Sequence, residues 1–215
     1  MTIKIDTLFG TPTSLIETGE EELCDELYDF IIKKMTDENR IDDAPQYAHP
    51  DLFESKFDFL HWDFPVIKRL KALYNKYLLE FLNEVCDLSK TDLSRIKFQH
   101  ESWFHVAKMG GYFQSHTHPN HAWTMVFCVC PGDKIPSNDY EAGKLLIIDP
   151  RLNASMYLDP ANKDLKRQYS FNGTKIRYKK ASMLIFPSYM QHSVEPYLGN
   201  KYRITVPANF RFHYE

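Results

Sequence analysis

At Lys97 the sequence changes its period, and that change decides what the chain can become. Upstream, apolar residues recur every three or four positions; downstream they alternate with polar ones or form short runs. Phe98, Ser102, Phe104 and Val106 alternate with Gln99, Glu101, Trp103 and His105. Gly110-Gly111 makes a turn, and Tyr112 to His116 extends again. Trp123 to Cys130 is unbroken apolar sequence, the pattern of a strand covered on both faces. Gly143 to Ile148 is a further strand, closed by Asp149-Pro150, and Tyr169 to Arg177 reads as a hairpin around Asn172-Gly173. Ser182 to Phe186, His192 to Pro196 and Lys201 to Phe212 complete the set. About eight short strands at hairpin spacing predict a mainly β fold, a small barrel or jelly roll.

The first 96 residues supply buttresses for that sheet. Ile3 to Leu8 reads as a short strand, and Thr18-Gly-Glu-Glu21 matches a capping box ahead of a helix. Leu23, Leu27, Phe30 and Ile31 repeat at helical spacing, and the helix should end near Met35. From Ile41 to Asp63 the chain is irregular and reads as a surface loop. A longer helix starts at Phe64-Pro65 and ends near Asp87, with Val66, Leu70, Leu73, Tyr77, Phe81 and Val85 as its stripe. The length of 215 residues fits one domain: a mostly helical part over 1–96 and a β core over 97–215.

Several function classes fall away. A net charge of −3 offers no basic footprint for nucleic acid. No stretch of about 18 apolar residues predicts a membrane span, and the N-terminus lacks the layout of a signal peptide. A cytoplasmic protein is the expectation. Cys24, Cys86, Cys128 and Cys130 then read as reduced thiols, because Cys128-Val-Cys130 has no second pair with which to hold a metal.

The chemistry gathers at three places. His116 and His118 are two apart, so on an extended strand both imidazoles share a face. On the last strand Arg203, Thr205, Pro207 and Asn209 share one face, and Ile204, Val206, Ala208 and Phe210 the other. If the apolar face packs against helices, Arg203 points into the barrel. There it is costly unless it meets an anion, and its fork suits a carboxylate, with Thr205 adding a hydroxyl. His192 precedes Arg203 by about one strand and a turn, which predicts neighbouring strands of one sheet. Three histidines converging on a metal beside an arginine suit a dicarboxylate, one end on the metal and the other on Arg203.

The segments Gly110-Gly-Tyr-Phe-Gln-Ser-His-Thr-His-Pro-Asn120, Gly143 to Arg151, Leu184 to Pro196 and Arg203-Ile-Thr-Val-Pro-Ala-Asn209 resemble the iron(II)- and 2-oxoglutarate-dependent oxygenases. The resemblance is to a group of small bacterial and phage members with a His-x-His-Pro motif, and Leu8 to Pro12 resembles their start. It implies a double-stranded β-helix (jelly roll, cupin-like) with N-terminal helices, and hydroxylation coupled to decarboxylation of 2-oxoglutarate. It also implies roles: His116 and His192 on Fe(II), Arg203 and Thr205 on the far carboxylate. The usual carboxylate ligand is replaced by His118. As third ligand the sequence leaves open His118, His121 or water.

Blander readings stand beside these. His49, His61, His100, His105, His121 and His213 read as structural or exposed, and Trp103 and Trp123 as core aromatics. Asp149-Pro-Arg151 reads as a strand-ending turn. Two rivals remain: a three-histidine cupin-type dioxygenase that does not use 2-oxoglutarate, and a jelly-roll binding module without activity. The substrate, a small molecule or a protein side chain, is not legible. The loops from Asp133 and Arg151 should frame the opening and set specificity. A homodimer is open, with no residue arguing for it.

Overall fold

The computed structural model describes residues 3–41, 49–133, 141–151, 159–170 and 173–214. Its strands are β1 (Ser14–Glu17), β2 (Leu52–Glu54), β3 (Ile96–Ser102), β4 (His105–Ala107), β5 (Phe113–His116), β6 (Trp123–Cys130), β7 (Leu145–Ile147), β8 (Thr174–Ile176), β9 (Ser182–Pro187), β10 (His192–Val194) and β11 (Arg203–Tyr214). The helices are α1 (Glu21–Lys34), α2 (Pro65–Val85) and α3 (Lys90–Arg95). The strands form two antiparallel sheets. The large one runs β1-β9-β6-β11-β4-β2, with β3 also on β11; the small one runs β5-β10-β7-β8. This is a jelly roll with helices on one side, as the period change at Lys97 predicts.

Strict alternation explains how β6 can be apolar throughout. Met125, Phe127 and Val129 enter the core shared with α1 and α2, whereas Val126 and Cys128 enter the core between the sheets. On β9, Met183 and Ile185 take the helix side and Leu184 and Phe186 the inner side. The even-numbered residues Ile204 to Phe210 of β11 join the helix-side core, leaving Arg203, Thr205, Pro207 and Asn209 to face inward. Tyr74 of α2 pins the helix to the sheet. Its buried hydroxyl donates to the Val206 carbonyl and accepts from Phe127 N at 3.2 Å.

Several local expectations are corrected. Residues 3–8 form no strand: Ile3, Ile5 and Leu8 lie exposed without a partner, and Ser14–Glu17 takes the sheet edge beside β9 instead. The capping box at Thr18 does not form. The Thr18 hydroxyl donates to the Ala181 carbonyl at 2.7 Å, and α1 starts at Glu21 without a side-chain cap. The box sits at α3 instead, where Ser89 and Asp92 satisfy each other's backbone N–H. The supposed loop over 41–63 contains β2 and a 3-10 turn at Phe59–His61, while 42–48 lie outside the described residues. A three-residue strand buried at every position shows no alternation to read.

The buried stripe of α2 is Ile67, Leu70, Leu73, Tyr74, Leu78, Phe81 and Leu82, rotated from the one expected; Val85 is exposed. Both candidate stripes are apolar, and the sheet chooses between them. Of the hairpin expected over 169–177, the described residues show Arg167–Tyr169 as part of a 3-10 turn and β8 paired with β7. Asn172 lies outside the described residues, as do 134–140 and 152–158 of the loops expected to frame the opening. His192 and Arg203 belong to opposite sheets, not neighbouring strands, so they face one another across the barrel. No helix among the described residues is long and apolar enough to cross a membrane. The four cysteines are free, with Cys24 and Cys128 buried and their thiol pKa values pushed up by burial.

Candidate metal and co-substrate site

The small sheet brings two of the histidines together by register. His192, first residue of β10, is the cross-strand partner of His116, last residue of β5, and their ring centroids lie 4.3 Å apart. The strand stops before His118, so shared alternation does not position it. The turn does, with the His118 backbone N–H on the Ser188 carbonyl at 3.0 Å. Its ring centroid is 5.0 Å from each of the other two. One nitrogen from each of the three histidines falls within 4.8 Å of the others.

Which nitrogens are free follows from the backbone. His116 Nδ1 lies 2.7 Å from the Gln114 carbonyl and His192 Nδ1 lies 2.9 Å from the Met190 carbonyl. A carbonyl only accepts, so both Nδ1 atoms carry the proton and both Nε2 atoms keep a lone pair. Burial pushes all three imidazoles below their usual pKa, His192 to about 3 and His118 to about 2. Each is therefore neutral at pH 7, the form that binds a metal. His121 stands outside this cluster, with Nε2 3.8 Å from Glu101.

The histidines border a cavity of about 310 Å³ between the sheets. Arg203 and Thr205 line it, 4% and 3% exposed. Among the described residues no carboxylate pairs with Arg203, whose guanidinium lies 5.7 Å from the centroid of the Tyr178 ring. The Tyr178 hydroxyl is buried in the same wall with no hydrogen-bond partner among the described residues. Gly143 makes room here. At φ +69° it occupies the left-handed region, and a Cβ would sit 3.2 Å from Tyr197 and 3.6 Å from Arg203. Asn209 is tied inward: Thr124 Oγ1 donates to its Oδ1 at 2.8 Å and accepts a hydrogen bond from Ser188 Oγ, also at 2.8 Å.

Sequence reasoning missed part of the lining. Glu54, Trp103, His105, Tyr178 and His121 all border the cavity. His105, His121 and Trp103, which the sequence reads as structural, exposed or core groups, thus also border the cavity. The signal was the alternation of Glu101, Trp103 and His105 opposite the core face of Phe104 and Val106. Arg151 stays out of this cavity; it folds back on Asp149, with Nη2 2.6 Å from Oδ2.

The family model described as "Putative 2OG-Fe(II) oxygenase" matches residues 101–209, half of the chain. The chain belongs to the 2OG-Fe(II) oxygenase family. Among curated proteins none matches the sequence. Solved structures share the fold. A Pseudomonas putida prolyl-4-hydroxylase superposes with a TM-score of 0.64 at 11% identity, covering 94% of this chain and 92% of that one. HygX from Streptomyces hygroscopicus, with nickel and 2-oxoglutarate bound, gives 0.59 at 12% identity over 94% and 83%. A Trichoplax adhaerens prolyl hydroxylase, in complex with a hypoxia-inducible-factor peptide, gives 0.59 at 12% identity over 92% and 82%.

Family membership makes the chain a 2-oxoglutarate-dependent oxygenase with Fe(II) and 2-oxoglutarate as its cofactors. It favours this reading over the cupin-type dioxygenase and the inactive binding module. The residues present fit those cofactors. Three neutral imidazoles offer converging donors for a divalent ion, and an unpaired buried guanidinium beside an orphaned phenol asks for an anion.

Proposed function

We propose that the whole chain is one hydroxylase domain in which His116, His118 and His192 hold Fe(II), and Arg203 and Thr205 hold the far carboxylate of 2-oxoglutarate. The observation that carries this reading is the cavity itself, with three free imidazole nitrogens at one place and an unpaired buried arginine at another. His118 then stands where the common pattern has an acid. When bound, the iron and its co-substrate supply the oxidising power, turning O2 and 2-oxoglutarate into succinate, CO2 and a hydroxylated substrate carbon.

The protein's own part is positioning and exclusion. The Gln114 and Met190 carbonyls hold two imidazoles in the ligating tautomer. Arg203 gives a bidentate anchor for one end of a dicarboxylate, and Tyr178 adds a donor to the same wall. Val126, Leu145 and Val194 keep the cavity's inner surface apolar and so strengthen every charge interaction inside it. The relatives of this fold include an enzyme bound to a peptide, and the substrate here is either a small molecule or a protein side chain. Four free cysteines suit a reducing cytoplasm.

The test is an anaerobic titration with Fe(II) and 2-oxoglutarate, following the visible charge-transfer band of the chelate. A saturable band is expected, lost in His192→Ala and shifted to at least tenfold higher 2-oxoglutarate in Arg203→Ala. Metal binding without any band would overturn the co-substrate assignment.

A further inference from the structure

One group in the cavity is served by none of these roles. Glu54, at the end of β2, is 4% exposed and borders the cavity. Its Oε2 lies 2.5 Å from His105 Nε2, and the same nitrogen lies 2.9 Å from the Trp103 indole N–H. These three groups cannot all be satisfied at once. The indole only donates, the carboxylate only accepts, and a single ring nitrogen either donates or accepts. If Nε2 accepts from Trp103, it meets Glu54 lone pair to lone pair. If it donates to Glu54, the indole hydrogen faces another hydrogen. In both cases the second carboxylate oxygen, Oε1, has no hydrogen-bond partner among the described residues. A carboxylate this buried and this incompletely paired asks for a donor, and a charged donor above all.

The rest of the wall agrees. Among the described residues lining the cavity the carboxylates are Glu54 and Glu101, and Arg203 is the one lysine or arginine. With His116, His118 and His192 neutral, a divalent metal balances the two carboxylates of 2-oxoglutarate. Arg203 is then the one lysine or arginine set against two glutamates in that lining. Trp103 and Phe57, edge to face with centroids 4.9 Å apart, add aromatic surface on the same wall. An aromatic face beside a buried carboxylate is how proteins bind organic cations.

We propose that the substrate presents a protonated nitrogen, an ammonium or guanidinium group, to Glu54 beside the Trp103–Phe57 pair. This rests on the reading of the same cavity given under the proposed function: Arg203 must be occupied by the co-substrate and not by a glutamate. The cation sits on the wall formed by β2 and β4, across from the deep apolar residues of the small sheet. The carbon to be oxidised belongs to the chain carrying that nitrogen.

The experiment uses the protein loaded with zinc(II), a diamagnetic stand-in for iron, and 2-oxoglutarate. Binding of n-butylammonium, n-butanol and butyrate at millimolar concentration is compared by ligand-observed NMR. Butylammonium should bind at least tenfold more tightly than butanol, and butyrate more weakly than either. Glu54→Gln should remove most of that preference, whereas Glu101→Gln, at a half-exposed position, should change it less than threefold. His105→Gln, which frees the carboxylate from its protein partner, should keep the preference and serves if the Glu54 variant does not fold. Equal binding of the alcohol and the ammonium, no detectable binding of butylammonium, or a preference that survives Glu54→Gln would overturn the proposal. The charge-transfer titration with Fe(II) keeps the two readings apart: a normal band with no preference for the cation defeats only this inference.

Discussion

His116 and His192 are register partners on antiparallel strands, and the Nδ1–H of each donates to the carbonyl two residues before it. The repetition of one local device on two strands fixes both Nε2 atoms before any metal arrives. His118, held only through its backbone N–H on Ser188, has no such brace on its ring among the described hydrogen bonds.

That asymmetry makes His118 the informative position. His118→Asp restores the two-histidine, one-carboxylate donor set and adds one negative charge to the loaded site. It is expected to keep Fe(II) binding and to move the charge-transfer band. His118→Ala should weaken Fe(II) binding at least tenfold. Anaerobic Fe(II) titrations of both variants decide the matter. Alanine binding as tightly as wild type would remove His118 from the ligand set.

Thr124 links the Asn209 side chain to the turn that carries His118. Thr124→Val keeps the shape but strands two buried partners, Asn209 Oδ1 and the Ser188 hydroxyl. The loss should be about 1–3 kcal/mol, or a fall in melting temperature of roughly 2–4 °C per kcal/mol for a chain of this size. Because Ser188 also accepts the His118 N–H, metal affinity should fall alongside stability. Thermal unfolding and Fe(II) titration of the one variant measure both. A stability loss with unchanged metal affinity would show that the turn holds without this link.

The inward face of β11 was legible because its alternation runs over eight residues, long enough for Arg203 to Asn209 to be assigned to one side. The spacing of His116 and His118 singled them out, although the turn after β5, and not strand alternation, brings His118 to the other two. Glu54 was not legible. It sits on a strand of three residues, each buried, in a stretch rich in Pro and Asp, and nothing local marks it. The sheet membership of His192 and Arg203 was misread because their separation along the chain limits distance but does not say which sheet the returning strand joins. The N-terminal Ile3 to Leu8 alternates like a strand, yet pairing depends on a free edge, and Ser14–Glu17 occupies it.

Gly143 should report on the co-substrate end alone. Alanine there is strained at φ +69°, by about 1–3 kcal/mol, and its methyl would crowd Tyr197 and Arg203. Gly143→Ala is expected to raise the 2-oxoglutarate concentration needed for half-saturation several-fold, with Fe(II) binding in its absence unchanged. Titrating Fe(II) first and 2-oxoglutarate second separates the two effects. A variant that loses both together would place Gly143 in general stability and not in the shape of the arginine's niche.

His100 gives the fold a dependence on pH that the metal site does not explain. Its ring is stacked on His61 with centroids 4.3 Å apart, and both of its nitrogens are buried with no hydrogen-bond partner among the described residues. Burial, with the neighbouring His61 and Lys71, lowers its pKa to about 4 from the usual 6.5. The unfolded chain therefore takes up a proton below about pH 6.5 that the folded chain refuses until about pH 4. Stability from this residue is complete above pH 6.5 and is lost as pH falls through that window. Chelator-treated protein should show a level unfolding midpoint above pH 7 and a steady decline from pH 6.5 to pH 4, to which the three lowered histidines of the cavity add. His100→Phe, which keeps an aromatic ring against His61 and Phe210 and cannot be protonated, should flatten part of that decline. Denaturant midpoints at a series of pH values, wild type against variant, measure the difference. Identical slopes would mean that His100 is not a source of the acid sensitivity.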